Sequence, residues 1–116
     1  MAEQLQFERK LLSKGAVLLT LRGILDAQTF EPLEREIQSV FERGGYRLVI
    51  DANELQYVSS AGLGVLMNAM AECTAHRGDL ILIRITPEVH EIFDSLTLTN
   101  VFKIAATQDE ALAHFS

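Results

Sequence analysis

Two adjacent serines, Ser59 and Ser60, stand where the run Leu55-Gln-Tyr-Val58 gives way to a helical pattern through Leu63, Leu66, Met67, Met70 and Thr74. A helix N-terminus leaves backbone N–H groups unpaired and carries partial positive charge, so a serine there has two employments. As an N-cap, its hydroxyl accepts a bond from an N–H two or three residues on, which is worth about 0.5 to 2 kcal/mol against alanine. As a phosphorylation site, it would carry a phosphate where the dipole and the free N–H groups stabilise it. Ala61, Gly62 and Gly64 keep the first turns almost free of side-chain bulk, so a partner's backbone or active site could approach closely. Glycines in a helix cost about 1 kcal/mol each against alanine. Close packing of helix on sheet is the alternative reason for them.

Other chemistry finds less support. A nucleophile elbow needs glycine two places before its serine, and Val58 stands there relative to Ser60. His76, His90 and His114 fall in predicted helices at spacings that do not argue for an activated serine. Cys73 and His76, three apart, do not close a zinc site, and Cys73 reads as a core thiol, as Met67 and Met70 read as core positions. Gly62-Leu-Gly64 is followed by Met67 where a dinucleotide fingerprint needs glycine, and no P-loop is present. No metal, cofactor or catalytic residue is expected, and the chain reads as a binding module rather than an enzyme.

With 116 residues the chain has room for one core and no second domain, and the whole length, 1–116, reads as one unit. Hydrophobic residues at 48% and charged residues at 22% are values of a folding globular chain. Ten basic against sixteen acidic side chains give a net charge of -6, which repels nucleic acid and anionic lipid. The cations are scattered beside acids, as in Glu8-Arg9-Lys10 and Glu34-Arg35-Glu36, with no basic run. One cysteine, no signal-peptide pattern and no apolar run near 20 residues predict a cytoplasmic protein without a membrane span.

The elements that must position the serines follow from periodicity. Leu5–Glu8 and Val17–Leu21 form a hairpin around Lys14-Gly15. Phe30, Leu33, Ile37, Val40 and Phe41 mark a helix capped by Thr29, with Pro32 in its first turn and Gly44-Gly45 as its stop. Leu48–Ile50, ending at Asp51, and Leu80–Ile85 read as strands buried on both faces. Gly78 stops the serine-led helix. Thr86 and Pro87 open a helix carrying Val89, Ile92, Phe93 and Leu96, Val101–Ile104 is a last strand, and Thr107 with Glu110 caps a closing helix. The order ββαβαβαβα predicts an α/β fold with about four helices, whose mixed sheet combines an N-terminal hairpin with parallel strands.

Val17-Leu-Leu-Thr-Leu-Arg-Gly-Ile-Leu-Asp26, Leu48-Val-Ile-Asp51 and Tyr57-Val-Ser-Ser-Ala-Gly-Leu-Gly-Val-Leu66 resemble the STAS domain of bacterial anti-sigma factor antagonists. Arg77–Ile83, Pro87, the helix to Leu96, Val101-Phe102 and Glu110-Ala-Leu112 continue the resemblance, which covers roughly residues 7 to 115. In that family the loop usually reads Asp-Ser-Ser-Gly or Asp-Ser-Thr-Gly, and its first serine is phosphorylated by the cognate anti-sigma factor, a serine kinase. Alignment on Gly62 puts that serine at Ser60, with Ser59 second. Ser59 replaces the usual acid and Ala61 the usual second hydroxyl.

The resemblance implies a partner switch. The unmodified protein binds the kinase and frees a sigma factor, phosphorylation breaks the complex, and a serine phosphatase restores it. The implied binding face comprises Ser59, Ser60, Ala61, Gly62, Leu63 and Gly64, joined by Asp26, which serves equally well as a turn residue or cap. Two other readings remain: an unphosphorylated STAS scaffold of a stress-signalling or lipid-transport complex, and a small serine hydrolase. Homodimerisation stays open.

Overall fold

In the computed structural model, residues 4–98 and 100–115 are described. The elements are β1 (Leu5–Leu11), a single 3-10 turn (Ser13–Gly15), β2 (Val17–Leu25), α1 (Phe30–Glu42), β3 (Arg47–Val58), α2 (Ser60–Ala75), β4 (Asp79–Ile83), α3 (Pro87–Ser95), β5 (Lys103–Ala105) and α4 (Gln108–Ala113). They give the predicted α/β architecture, a mixed five-stranded sheet with four α-helices.

The strands lie in chain order, β1-β2-β3-β4-β5, with β1 antiparallel to β2 and every later pair parallel. In such a sheet, crossovers of one hand place all their helices on the same face. Accordingly Leu33, Ile37 and Phe41 of α1, Leu63, Leu66 and Cys73 of α2, and Val89 and Phe93 of α3 share one core with Leu19, Leu21, Leu48, Ile50, Leu80 and Leu82. The opposite face carries a smaller cluster in which Ala111 and Phe115 cover Val49, Ile81 and Ile83. Neighbours Leu48, Val49 and Ile50 thus point into different cores, which is why that run is continuously apolar.

Several boundaries depart from the sequence reading. Strand β3 does not end at Asp51 but runs on to Val58, because two register shifts against β2 insert extra residues: Thr20 pairs with Asp51 but Arg22 with Glu54, and Gly23 with Leu55 but Ile24 with Tyr57. The bulges stretch the burial spacing from two residues to three, so that Ala52, Leu55 and Val58 are the buried positions and the segment reads as loop to a period-two test. Strand β4 stops at Ile83 rather than Ile85, since Arg84 turns into the left-handed region (φ 57°) and brings its guanidinium to buried Asp51. The Nη2 of Arg84 donates to Asp51 Oδ2 at 2.9 Å, and Nε donates to both carboxylate oxygens, which holds the Arg84 guanidinium above its ordinary range.

The last strand is Lys103–Ala105 instead of Val101–Ile104, with Val101 exposed in the preceding turn and Phe102 buried under Phe93. Met67 on α2 and Leu96, the C-cap of α3, are exposed rather than core. His76 and His114 are C-caps rather than helix-interior residues. Thr29 stands at the N-cap of α1 without capping it: its hydroxyl accepts from Asp26 N–H at 2.9 Å and donates to the Ile24 carbonyl at 2.8 Å.

Cys73 is fully buried, as expected of a core thiol, and burial, assisted by Asp79 and Glu72, pushes its pKa from the ordinary 9.0 up to about 12. A folded thiol that stays protonated while the unfolded one ionises leaves stability intact below pH 9 and erodes it as pH rises from 9 towards 12. Iodoacetamide at pH 8 should leave Cys73 unmodified in the native protein and alkylate it in urea; equal rates would show the site opens. Phe93→Ala, which empties the junction of α3 with the sheet, should cost about 3–5 kcal/mol in urea unfolding.

Candidate functional site at the carboxyl ends of β2 and β3

Leu25 and Val58 are register partners at the ends of parallel strands β2 and β3, so the residues that follow them emerge side by side. Outside the carboxyl ends of the strands is where open α/β sheets place ligands. Ser59 N–H donates to the Leu25 carbonyl at 2.9 Å, closing the two strands together beyond their last pair.

The two serines divide the work. Ser59, in extended backbone (φ -87°, ψ 175°), is the N-cap of α2: its Oγ accepts from Gly62 N–H at 3.3 Å and its carbonyl accepts from Leu63 N–H at 2.9 Å. Ser60 is the first helical residue and is exposed, and its hydroxyl makes no hydrogen bond among the described residues. No acidic side chain occupies the first turn of α2, so the partial positive charge of the helix start is not offset there.

The glycines separate in the same way. A Cβ on Gly62 would lie 2.6 Å from Leu25 Cγ and 2.8 Å from the Leu25 carbonyl oxygen, so its absence is what lets α2 settle on β2. A Cβ on Gly64 would meet nothing within 4 Å, so no internal contact requires that glycine. Gly62 and Leu63 are buried and can only position their neighbours, whereas Ser60 is exposed and Ser59, Ala61 and Gly64 are half-buried.

Asp26, half-buried directly after Leu25, works as the turn residue into α1. Its Oδ1 accepts from Gln28 N–H at 2.9 Å, and its carbonyl accepts from Thr29 and Phe30 N–H. Sequence reading missed Tyr57, which is 48% exposed beside the serines and paired with Ile24, because the bulge that turns it outward leaves no mark on composition. It also missed a depression of about 780 Å3 lined among others by Gln6, Arg22, Asn53, Gln56 and Thr86, with Arg22 held between Glu8 at 3.0 Å and Glu54 at 3.4 Å.

Comparison with known proteins bears directly on this geometry. The STAS domain pattern matches residues 10–111, spanning β2 and β3, the serine loop, helices α1 to α3 and the start of α4. The chain belongs to the STAS family.

Among curated relatives, this STAS domain is 31% identical over 101 residues to BtrV of Bordetella bronchiseptica, a proposed anti-sigma factor antagonist, with 87% of each chain covered. The fold is that of SpoIIAA, an anti-sigma factor antagonist, in its unphosphorylated form (TM-score 0.79, 24% identity, 94% and 95% of the two chains). It is also that of Bacillus SpoIIAA in its phosphorylated form (TM-score 0.72, 23% identity, 96% and 100%). An anti-sigma factor antagonist of Mycobacterium paratuberculosis superposes with TM-score 0.83 at 21% identity, over 97% and 94% of the chains. No helix among the described residues is long and apolar enough to cross a membrane.

The two glycine environments predict opposite outcomes for one substitution. Gly62→Ala should destabilise the fold by about 1–3 kcal/mol through overpacking against Leu25, while Gly64→Ala should stabilise it by about 0.5–1 kcal/mol. Chemical denaturation of both variants decides the point, and a shared sign would contradict the packing described.

Proposed function

We propose that this STAS domain is an anti-sigma factor antagonist: unmodified, it binds an anti-sigma factor that is a serine kinase, and phosphorylation of Ser60 ends the complex. The observation that carries this reading is the division between the serines. Ser59 is committed to the cap, and Ser60, next to it, presents a free, exposed hydroxyl on a turn without bulk. A kinase needs an acceptor it can reach without unfolding a helix end, and Ser60 meets that need while Ser59 does not. The relatives' names point the same way, and SpoIIAA, whose fold this chain shares, exists in phosphorylated and unphosphorylated forms.

The switch follows from charge. A phosphate adds about -1.5 to -2 charges at pH 7. On the free domain it is tolerated, because it sits at the positive end of α2 and faces solvent. Inside an interface built on the unmodified hydroxyl, the same group must be desolvated and accommodated, and the complex weakens. A serine phosphatase then resets the domain. Half-buried Asp26 shapes the neighbouring turn, and exposed Tyr57 offers an aromatic contact of the kind that dominates protein interfaces. The role is binding rather than catalysis: His76 caps the far end of the 16-residue helix α2, away from both serines.

Incubation with the cognate kinase and ATP, read by mass spectrometry, should give one phosphate on the parent and on Ser59→Ala, and none on Ser60→Ala. Ser59→Ala should instead lose about 1 kcal/mol of stability through its cap. Ser60→Asp should weaken kinase binding at least tenfold in a titration. Undiminished phosphate on Ser60→Ala would overturn the site assignment.

A further inference from the structure

Strand β1 stands first in the sheet, so it has a neighbour on one side only. Its seven residues pair with β2 without a register shift. Leu12 N–H donates to the Ala16 carbonyl at 2.8 Å, and the alternation of antiparallel pairing then turns the backbone of Lys10, Glu8 and Gln6 towards β2. Leu5, Phe7, Arg9 and Leu11 therefore hold their N–H and C=O groups outward, a row that another strand would complete. The opposite edge, β5, is only three residues long.

Edges of this kind are usually guarded by proline, by a bulge or by charges that repel a second strand. The sequence of β1, Leu-Gln-Phe-Glu-Arg-Lys-Leu, has no proline, and its pairing has no bulge. Its charges are arranged as partners. Arg9, on the side of α1, is bound to Glu36 at 3.1 Å. Glu8 and Lys10 lie on the other side of the strand with opposite signs. Glu8 accepts from Arg22 at 3.0 Å, yet its side chain stays 68% exposed and open to a second cation. Leu11 is 75% exposed, the most of any large apolar side chain among the described residues. It borders a groove of about 550 Å3 whose wall includes Val17 and Val40.

Side chains discriminate between the registers in which such a strand can pair with itself. Opposed residues must share a side of the sheet, so the two-fold axis passes through a residue. An axis at Glu8 sets that carboxylate against itself and Phe7 against Arg9, and an axis at Lys10 opposes two ammonium groups. An axis at Phe7 sets Arg9 against Leu5. An axis at Arg9 sets Glu8 against Lys10 twice and Phe7 against Leu11 twice, all favourable cross-strand pairs. The charged pairs then fall at the non-hydrogen-bonded positions, where side chains approach more closely. Arg9 faces Arg9, each with its own Glu36 beside it.

We propose that β1 is a dimer interface: it pairs antiparallel with β1 of a second copy about Arg9, joining two five-stranded sheets into one. The occupant is a second copy because the segment complements itself in this register, in charge and in apolar contact. Phe7 of the second copy meets Leu11 at the mouth of the groove and removes it from water. The axis points the carboxyl ends of the two sheets in opposite directions, so both Ser60 hydroxyls stay outside the interface. The dimer is therefore independent of the phosphorylation reading.

Sedimentation velocity of the full chain should show a monomer–dimer equilibrium that shifts with concentration. Glu8→Lys and Lys10→Glu each place like charges opposite one another and should weaken self-association about tenfold or more. Mixed together, the two variants should recover dimers of parent affinity, since each lysine of one copy meets a glutamate of the other. That recovery also shows that both variants fold. Amide exchange should slow at Phe7, Arg9 and Leu11 as the dimer forms. A parent chain that stays monomeric at the concentrations used for NMR, a dimer indifferent to both variants, or variants that do not recover association on mixing would each overturn the proposal.

Discussion

The contact of Leu25 with the start of α2 organises this molecule. Its carbonyl accepts from Ser59 N–H and its side chain fills the place where Gly62 would carry a Cβ. Through these contacts the end of β2 determines where β3 stops, where α2 begins and how closely that helix lies on the sheet. The exposed position of Ser60 is a consequence. With Ser59 drawn inward as cap and Gly62 pressed on Leu25, the next hydroxyl on the first turn is left facing solvent.

The rest of the fold supports that junction asymmetrically. Helices α1, α2 and α3 cover one face of the sheet, while among the described residues the other is covered by the short α4 and the residues around it. Lys14 tethers the end of that helix by donating from Nζ to the carbonyls of Leu112, in α4, and Phe115, just beyond it. Asp51 is buried in the long strand β3, and Arg84 satisfies it only by turning the chain out of β4. Burying a carboxylate without such a partner would be costly, so the early end of β4 and the polar pair are one arrangement.

Much of this was legible along the chain. The element order, the strands buried on both faces and the helix stops at Gly44-Gly45 and Gly78 all follow from local periodicity and turn chemistry. The continuation of β3 was not, because its bulges change the burial period and make a strand read as loop. Met67 and Leu96 were misplaced because an apolar residue at helical spacing can belong to either edge of the buried stripe, and only docking says which edge is covered.

The sequence by itself determined the family, the class of fold and the neighbourhood of the site, since each rests on residues adjacent in the chain or on short repeats. It could not divide cap from free hydroxyl between Ser59 and Ser60, because that depends on a bond from Ser59 to Leu25 across two strands. Nor could it show that β1 lies at the edge of the sheet, with Leu11 exposed beside Val17 and Val40. Both were decided by tertiary structure, for the same physical reason: sheet pairing and the crossovers between strands bring together residues whose separation in sequence exceeds the reach of any local pattern.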